Sequence, residues 1–396
     1  MSNAAATIGE ICNRFSSGKS IPAINIHKSG KYPVFGGNGL RGYTDTYNFE
    51  GECVIIGRQG AYCGNVRYYC GKAYMTEHAI IACVKPEHST GYLAFKLSLM
   101  NLKQYQGQSA QPGLSVNTLA KVVIEMPEYD IQIKVFNILK SIDDKIQNNT
   151  KMIQEFELMA KTIYDYWFLQ FDFPDKNGKP YKSSGGKMVW NRELRREIPD
   201  GWEVSDVEHF GSLSNGINYD KNIVGDKIYK IVNVRNISSA TLLLDKSKIE
   251  DIQLSEKIAD KFLLSENDIL IARSGIPGAV RVLISDIKDT IYCGFIICLS
   301  LNSRFYRDYL VYMLKDYENT SATTSGGTIM QNVSQETIKG LCFPVPDERV
   351  MQLFNEKIDI IWKSMQQKMK ENQELIALRD FLLPLLMNGQ VGFKEE

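Results

Sequence analysis

The longest periodic pattern of apolar and polar positions in the chain occurs twice. In the segments 129–170 and 348–388, apolar residues recur at alternating spacings of three and four positions. This spacing is typical of the contact seam of a coiled coil rather than of a wide globular stripe. We therefore predict two long helices, with seam residues Ile138, Ile142, Ile146, Asn149, Ile153 and Phe156 in the first, and Ile358, Ile361, Met365, Asn372 and Leu375 in the second.

Polar residues interrupt both predicted seams. Asn149 lies in the first seam, and Lys368 and Asn372 lie in the second. Polar seam residues lower the stability of a coiled coil but fix its register and the number of its partners. At the end of the second helix, Gly389 predicts termination, and Pro384 predicts either a bend or an earlier end.

The two helices belong to a larger internal repeat. SVNTLAKVVIEMP (115–127) and SQETIKGLCFPVP (334–346) align without a gap, and each predicts a short helix, a strand and a proline stop. Upstream of them, CVIIG, HAIIACV, KIYKIV, DILIA and GFIICLSL have the composition of strands. YLAFKLSLMNL and YRDYLVYMLKDY predict helices at matching positions. The chain is therefore predicted to be a tandem of two mixed α/β or α+β repeats, each followed by a long helix.

This pattern divides the chain into six segments. The segment 171–200 is rich in Gly, Pro, Ser and Lys, which is typical of a linker. The other bounds follow from the repeat: a first globular domain at 1–128, a first long helix at 129–170, a second globular domain at 201–347, a second long helix at 348–388 and a tail at 389–396.

One short motif, a strand running into an arginine turn, also occurs twice. VIIGRQG (54–60) and ILIARSG (269–275) each place an arginine after an apolar run and a glycine two positions later. An arginine can bind backbone carbonyls, a phosphate, or the edge of a guanine. For Arg58 and Arg273 all three roles stay open. Their repetition favours a structural role, because readers of different sequences should not share residues that contact bases.

The loops that differ between the repeats are better candidates for recognising bases. Asn, Gln and Arg side chains on glycine-rich loops provide the hydrogen bonds that base edges require. The candidate contacts in the first repeat are Asn38, Arg41, Tyr43, Arg58, Asn65, Arg67, Gln104, Gln108 and Gln111. Those in the second repeat are Asn233, Arg235, Asn236, Arg273, Thr328 and Gln331.

Composition places the chain among soluble globular proteins. It is 44% hydrophobic and 23% charged, and no apolar run reaches the ~20 residues of a membrane span. No signal peptide is evident, so we expect a cytoplasmic protein. None of the eight cysteines forms a CxxC pair and the four histidines lack the spacing of metal ligands, so we expect reduced, mostly buried thiols and no metal.

The net charge is zero but unevenly distributed. Residues 1–128 carry 12 Lys and Arg against 8 Asp and Glu, whereas residues 201–347 carry 15 against 19. A protein that holds nucleic acid by its phosphates alone normally has a stronger basic surplus. The charge therefore argues against a chain that grips DNA without partners.

Motifs for nucleotide binding and catalysis are incomplete. Gly18, Lys19 and Ser20 resemble the end of a P-loop, but Asn13 occupies the position of its first glycine. GNGLRG (37–42) matches a dinucleotide fingerprint, yet no helix is predicted after it. HExxH and GxSxG motifs do not occur. The sequence favours a protein that recognises a partner over one that catalyses a reaction.

The tandem plan, the segment FDFPDKNGKPYKSSGGKMVW with IPDGWEV, and the ending LRDFLLPLLMNGQV (378–391) together resemble the specificity subunits of type I restriction–modification systems. The resemblance covers nearly the whole chain. It implies an α+β fold with two target-recognition domains in pseudo-twofold tandem, separated by an antiparallel coiled coil of the two long helices. The first repeat departs from this plan, because TIGEICNRFSSGK lacks a lead like IPDGWEV.

The resemblance also implies a function. Each domain would read one half of a bipartite, asymmetric site in double-stranded DNA. The helices would hold two methyltransferase (modification) subunits, and restriction subunits would join them. The chain itself would be non-catalytic and bind no cofactor, with S-adenosylmethionine, ATP and Mg expected on the partner subunits.

Two alternatives remain open at this point. The chain could be the recognition subunit of a type II-like restriction–methylation enzyme, although methyltransferase and nuclease motifs are missing from it. It could also be a coiled-coil interaction scaffold without a DNA role. That second alternative leaves the duplicated globular domains unexplained.

Overall fold

The computed structural model describes residues 4–60, 62–107, 113–219, 225–239, 241–284, 287–324 and 332–393. The chain divides into two compact units. The first unit combines Met1–Ile146 with Glu374–Glu396, and the second unit is Gln147–Gln373. Each unit therefore contains one globular domain and part of both long helices. Among the described residues, no helix is long and apolar enough to cross a membrane.

The first unit begins with a strand, a one-turn helix and a second strand, and most of its strands form one sheet. Its elements are β1 (Ala4–Thr7), α1 (Ile8–Ile11), β2 (Cys12–Ser17), β3 (Tyr32–Gly36), β4 (Gly39–Thr44), β5 (Phe49–Gly57), β6 (Val66–Met75), β7 (Ala79–Val84), α2 (Thr90–Leu99), α3 (Val116–Ala120) and β8 (Val123–Met126). The first long helix, α4 (Tyr129–Tyr164), starts in this unit.

The sheet of the first unit has the order β2-β7-β5-β6-β3-β4. Its central strands are β5 and β7, which pair antiparallel with Ile55 opposite Ile81. The runs CVIIG and AIIACV in these strands are apolar without interruption because the sheet is covered on both sides there. Strand β1 pairs antiparallel with β8 in a separate two-stranded sheet. Thr7 and Glu10 form a reciprocal capping box at the start of α1.

The second unit follows the same plan with additional short elements. It contains β9 (Met188–Asn191), β10 (Arg196–Pro199), β11 (Glu203–Asp206), α5 (Val207–Phe210), β12 (Gly211–Asn215), β13 (Lys227–Val232), α6 (Val234–Ser239), β14 (Glu250–Leu254), α7 (Glu256–Ala259), β15 (Asp268–Ala272), β16 (Val280–Arg281), β17 (Thr290–Tyr292), β18 (Ile296–Leu301), α8 (Arg307–Thr324), α9 (Gln335–Lys339) and β19 (Cys342–Val345). The second long helix, α10 (Glu348–Met387), starts here.

The sheets confirm the predicted tandem. The order β12-β18-β15-β16 in the second unit repeats β2-β7-β5-β6 in the first, and β11-β19 repeats β1-β8. The predicted helices and strands before each long helix are present as α3 and β8, and as α9 and β19. In the first unit β1 takes the place of Glu203–Asp206, so a lead strand is present in both units, in the first with the sequence AAAT.

The segment 171–200, which the sequence predicts as a linker, is a folded part of the second unit. Phe171 and Phe173 are buried, and the ring of Phe173 stacks on that of Trp202 at 5.0 Å. The Asp172 carboxylate accepts hydrogen bonds from the backbone and hydroxyl of Ser183. Buried aromatic area offsets the flexibility that Gly, Ser and Lys confer. The composition of this segment predicted a linker because its few aromatic residues are outnumbered by Gly, Pro, Ser and Lys.

The long helices pair antiparallel within each unit. In the first unit Asp143 of α4 forms an ion pair with Arg379 of α10 at 3.0 Å, while Lys134, earlier on α4, lies over the ring of Phe393 beyond the end of α10. In the second unit Thr150 accepts a hydrogen bond from Asn372. Later on α4, the ring of Tyr164 contacts that of Phe354, near the start of α10. The predicted antiparallel helix pair is therefore present.

The predicted seam residues are buried or half-buried, except at the first position. Ile142, Asn149, Ile153, Ile358, Ile361 and Met365 are buried, and Ile146, Phe156, Asn372 and Leu375 are half-buried. Ile138 is 38% exposed, whereas its neighbour Leu139 is fully buried. Both residues fit an alternating spacing between Val135 and Ile142, so the sequence could not choose between them. In the first unit Leu139 packs with Leu386 and Met387 of α10 in one core cluster.

Asn149 is a buried polar residue in this seam. It is 1% exposed, and neither atom of its side-chain amide has a hydrogen-bond partner among the described residues. The Asn372 amide nitrogen donates to the Thr150 hydroxyl at 3.3 Å. The side-chain oxygen of Asn372 is buried and has no hydrogen-bond partner within the described residues. Such groups lower stability and penalise alternative registers.

The end of α10 follows the glycine and not the proline. The helix continues through Pro384 and ends at Met387, two residues before Gly389, whose φ is +66°. The Gln390 N–H donates to the Leu385 carbonyl at 2.9 Å, which closes the last turn. The possibility that Pro384 ends the helix is wrong, because the helix runs on to Met387 although proline lacks the N–H that would bond to the carbonyl four residues earlier.

The seam correction predicts unequal effects of two adjacent substitutions. Leu139→Ala should lower the free energy of unfolding by about 2–5 kcal/mol, because it leaves a cavity in the first unit. Ile138→Ala should change it by less than about 1 kcal/mol, because that side chain is partly solvated. Thermal unfolding of the two variants in parallel measures the difference. A larger loss in Ile138→Ala would show that the seam runs through Ile138.

Candidate nucleic-acid interface

The backbone of the first arginine turn, residues 58–60, is held by two hydrogen bonds. The Arg58 N–H donates to the His78 carbonyl at 2.9 Å, and the Arg58 carbonyl accepts from the Leu114 N–H at 2.8 Å. Gly60 has φ of +86°, a conformation that favours glycine. The turn is therefore fixed between the start of β7 and the segment that leads into α3.

The second arginine turn, residues 273–275, is held in the same way. The Arg273 N–H donates to the Phe295 carbonyl at 2.9 Å, and the Arg273 carbonyl accepts from the Val333 N–H at 3.0 Å. Gly275 has φ of +81°. The repeated motif is thus a repeated backbone structure, which explains why both copies need a glycine at the same position.

The side chains of the two arginines behave differently. Arg58 is half-buried and donates to the Leu114 carbonyl at 3.3 Å and to the Ser17 hydroxyl at 3.4 Å. Arg273 is exposed, and its guanidinium has no hydrogen bond or ion pair to the described residues. The structural role that repetition favoured therefore holds for the side chain of Arg58, whereas Arg273 presents its charge to solvent.

Close backbone packing gathers several turns of the first unit on one surface. A Cβ atom at Gly37 would lie 2.8 Å from the Gln59 carbonyl oxygen and 3.3 Å from that of His78. The loop between β3 and β4 is therefore in contact with the first arginine turn and with the turn before β7. Only glycine permits this approach, because any side chain would collide with backbone atoms.

Two candidate arginines lie over glycines of this surface. A Cβ at Gly36 would lie 2.6 Å from Cδ of Arg41, and one at Gly39 would lie 2.8 Å from Nη2 of Arg67. Both arginines are exposed, as is Asn38 between the two glycines. The structure thus brings Asn38, Arg41 and Arg67 together, although they lie on different strands and loops.

The remaining candidates of the first unit lie at the margin of this surface or outside the described residues. Tyr43 is half-buried, and its backbone pairs with that of His27. Asn65 is exposed just before β6. Gln104 is exposed on a 3₁₀ turn, Leu102–Tyr105, which packs against Gly64. The candidates Gln108 and Gln111 in the first unit, and Thr328 and Gln331 in the second, lie outside the described residues.

In the second unit, helix α6 lies against the arginine turn. A Cβ at Gly275 would lie 2.8 Å from Cγ1 of Val234. This contact brings Asn233 and Arg235 close to Arg273. Arg235 is exposed and forms an ion pair with Glu250, and the Asn233 side chain lies 3.4 Å from both the Tyr219 hydroxyl and Glu250.

Asn236 is the one described candidate that the structure removes from the surface. It is 8% exposed, and its side-chain oxygen accepts from the Asn233 N–H at 2.8 Å. Its amide nitrogen donates to the Lys248 carbonyl at 3.1 Å. The side chain is therefore used to cap α6 and to fix the adjacent loop. Asn236 is the third residue of α6, a position from which a side chain can bond back to the N–H of the residue before the helix, so the sequence alone could not separate this role from a base contact.

Comparison with known proteins identifies the family. The family model for the type I restriction modification DNA specificity domain matches residues 4–158. A protein assigned as a type I specificity subunit in Mycoplasma pneumoniae is 32% identical over 317 residues, covering 78% of this chain and 76% of that protein. The chain belongs to the type I specificity subunits.

Two further comparisons agree with this assignment. The EcoprrI specificity subunit of Escherichia coli is 41% identical over 150 residues, a match that spans only 37% of either chain. The crystal structure of a type I restriction–modification S subunit from M. genitalium has a TM-score of 0.59 at 15% identity, with 100% of this chain and 97% of that chain covered. The second comparison shows that the α+β tandem fold is shared.

The cysteine thiols of this specificity subunit are free and mostly buried. All eight cysteines are free. Burial raises the pKa of the Cys12 thiol to about 12, and it also raises the pKa values of the thiols of Cys53, Cys83, Cys293 and Cys298. Such thiols are protonated at neutral pH and are poor nucleophiles. Among the described residues, no group of His, Cys, Asp and Glu side chains is placed to hold a metal ion.

Four residues at the arginine turns were not predicted as candidates. Gln59, Glu77 and His78 lie beside Arg58 in the first unit, and Phe295 lies beside Arg273 in the second. A signal was present, because His78 and Phe295 each come directly before an aligned strand, AIIACV and IICLSL. Only the structure shows that these positions meet the arginine turns.

The two arginines predict different responses to truncation. Arg58→Ala should lower the free energy of unfolding by about 1–3 kcal/mol, because a part-buried carbonyl loses its donor. Arg273→Ala should leave stability within about 0.5 kcal/mol of the parent, because the side chain is solvated. Thermal unfolding of both variants tests this. Equal losses would contradict the division between an internal and an external arginine.

Proposed function

We propose that this specificity subunit reads a bipartite, asymmetric site in double-stranded DNA, with one half-site for each unit. One observation carries the proposal: both units hold an arginine turn by the same pair of backbone hydrogen bonds, while the side chains around the turn differ. A constant framework with variable side chains suits two readers of different sequences. A scaffold without a DNA role would not need two such frameworks.

The chemistry of the first unit's surface supports this role. Arg41 and Arg67 are exposed beside Asn38 on a glycine-hinged loop. Guanidinium groups pair bidentately with guanine or with phosphate, and Asn pairs with adenine. The second unit supplies guanidinium and amide groups of the same kinds from its arginine turn and from the start of α6, through Arg273, Asn233 and Arg235.

The catalytic steps are assigned to partner subunits. Two methyltransferase subunits would bind the paired helices and carry S-adenosylmethionine. These subunits would also flip the target base out of the duplex before methylating it. Restriction subunits would supply ATP- and Mg-dependent cleavage. The net charge of zero supports this division, because partner subunits would contribute the missing phosphate contacts. We expect the complex to act in the cytoplasm.

The presence of a bipartite methylation motif tests the function directly. Deletion of the gene, in a cell that keeps an active methyltransferase partner, should abolish adenine methylation at one split motif. Single-molecule sequencing of the genome before and after deletion measures this, and restoring the gene from a plasmid controls for loss of expression of its neighbours. Persistence of every methylated motif after deletion would contradict the proposal.

Exchange of one globular domain tests the assignment of half-sites. Replacing residues 201–347 with the equivalent domain of another specificity subunit should change one half of the motif and leave the other half intact. The reciprocal exchange of residues 1–128 is the matched control and should change the opposite half. A change in both halves from either exchange would show that the two domains do not read independently.

A further inference from the structure

His78 and Phe295 occupy equivalent positions in the two units. Each accepts, through its carbonyl oxygen, the N–H of the arginine in its own unit at 2.9 Å. Each also directly precedes a buried strand, β7 or β18, that pairs with the strand leading into the arginine turn. The position is therefore fixed by the framework and not by the identity of the side chain.

The turns that carry these residues have the same geometry. The Ala79 N–H donates to the Thr76 carbonyl at 3.0 Å, and the Ile296 N–H donates to the Cys293 carbonyl at 2.9 Å. In both cases the fourth residue of the turn is bonded to the first, which defines a β-turn. We call the third residue of each turn, His78 or Phe295, the tip residue.

The tip of the first unit is polar and connected to its neighbours. Nδ1 of His78 lies 3.0 Å from Oε1 of Gln59, and its Nε2 lies 3.4 Å from Oε1 of Glu77. The other carboxylate oxygen of Glu77 is buried and has no hydrogen-bond partner among the described residues. The three side chains form a chain of donors and acceptors next to Arg58, and one acceptor is left unused.

The tip of the second unit is apolar. Phe295 is 61% exposed, and the neighbours that correspond to Glu77 and Gln59 are Gly294 and Ser274. A Cβ at Gly294 would lie 2.0 Å from Oδ1 of Asn218, so the glycine allows that side chain to pack on the turn. The Asn218 side chain therefore supports this turn, while the phenyl ring of Phe295 is exposed to solvent.

We propose that the two tip residues are specificity-determining residues, with opposite chemistry in the two units. His78, with Gln59 and Glu77, recognises hydrogen-bonding groups on a base edge. Phe295 makes an apolar contact, for which the C5-methyl group of thymine is the matching feature of the major groove. The inference rests on the proposed function, since it assumes that the arginine turns face DNA.

A single exposed phenylalanine is common on protein surfaces, so exposure alone carries no weight. Phe295 is distinguished by its position, because the other unit places a polar cluster at the same point of the same backbone. Each tip also adjoins an arginine, and in the second unit the guanidinium of Arg273 is exposed. An apolar contact beside a cationic group suits a base edge flanked by phosphates.

The test uses the complete complex with its methyltransferase partner. The variants Phe295→Ala and His78→Ala are expressed separately, and the genome-wide methylation motif is determined by single-molecule sequencing. Each variant should relax one base position in one half of the motif, with roughly a tenfold loss of discrimination there. The two variants should affect opposite halves. Phe295→Leu, which retains an apolar side chain, should keep most of the discrimination.

Matched controls distinguish tip recognition from a general effect. Ile228→Ala removes an apolar side chain that is 59% exposed on β13 of the second unit, and Val123→Ala removes one that is 61% exposed on β8 of the first. Neither control should alter the motif. Thermal unfolding of each variant confirms that the fold is retained.

Three outcomes overturn the inference. The motif could stay unchanged in both tip variants, methylation could fall at all sites without a change in the motif, or both variants could alter the same half. None of these outcomes contradicts the proposed function, provided that the unmodified chain directs methylation at a bipartite motif. Failure of the unmodified chain to do so, with an active partner, would refute the proposed function itself.

Discussion

Two backbone hydrogen bonds on one residue organise the surface around the arginine turn in each unit. The residue after the central strand donates its N–H to the turn before the neighbouring strand and accepts from the segment that leads into a short helix. Because these bonds involve only main-chain atoms, they hold the loops in place whatever side chains the loops carry. The side chains at the surface are consequently free to differ.

The same constraint explains why the two arginines differ in role. The backbone of both residues is fixed, but the Arg58 side chain turns inward to bind Leu114 and Ser17, and the Arg273 side chain stays in solvent. A motif repeated in sequence thus specifies a repeated main chain without specifying the use of its side chain. The adjoining tips, His78 and Phe295, show the same separation between framework and side-chain chemistry.

Sequence patterns could predict the elements of this fold because each element depends on local periodicity or on a stop signal. The long helices, the strands around both arginine turns and the end of α10 at Gly389 were all predictable in this way. The choice between Ile138 and Leu139 was not, because it depends on which face meets the other helix. The burial of Asn236 and the folding of segment 171–200 likewise depend on contacts with distant residues, such as Lys248 and Trp202.

We propose that each unit presents a fixed turn with its own tip residue to its own half-site. Site-specific photocrosslinking tests this most directly, with a photoreactive amino acid placed at position 78 or position 295 of the subunit in its complex with cognate DNA. Position 78 should crosslink to one half of the bipartite site and position 295 to the other. Crosslinks from both positions to the same half, or from neither position to DNA, would contradict it.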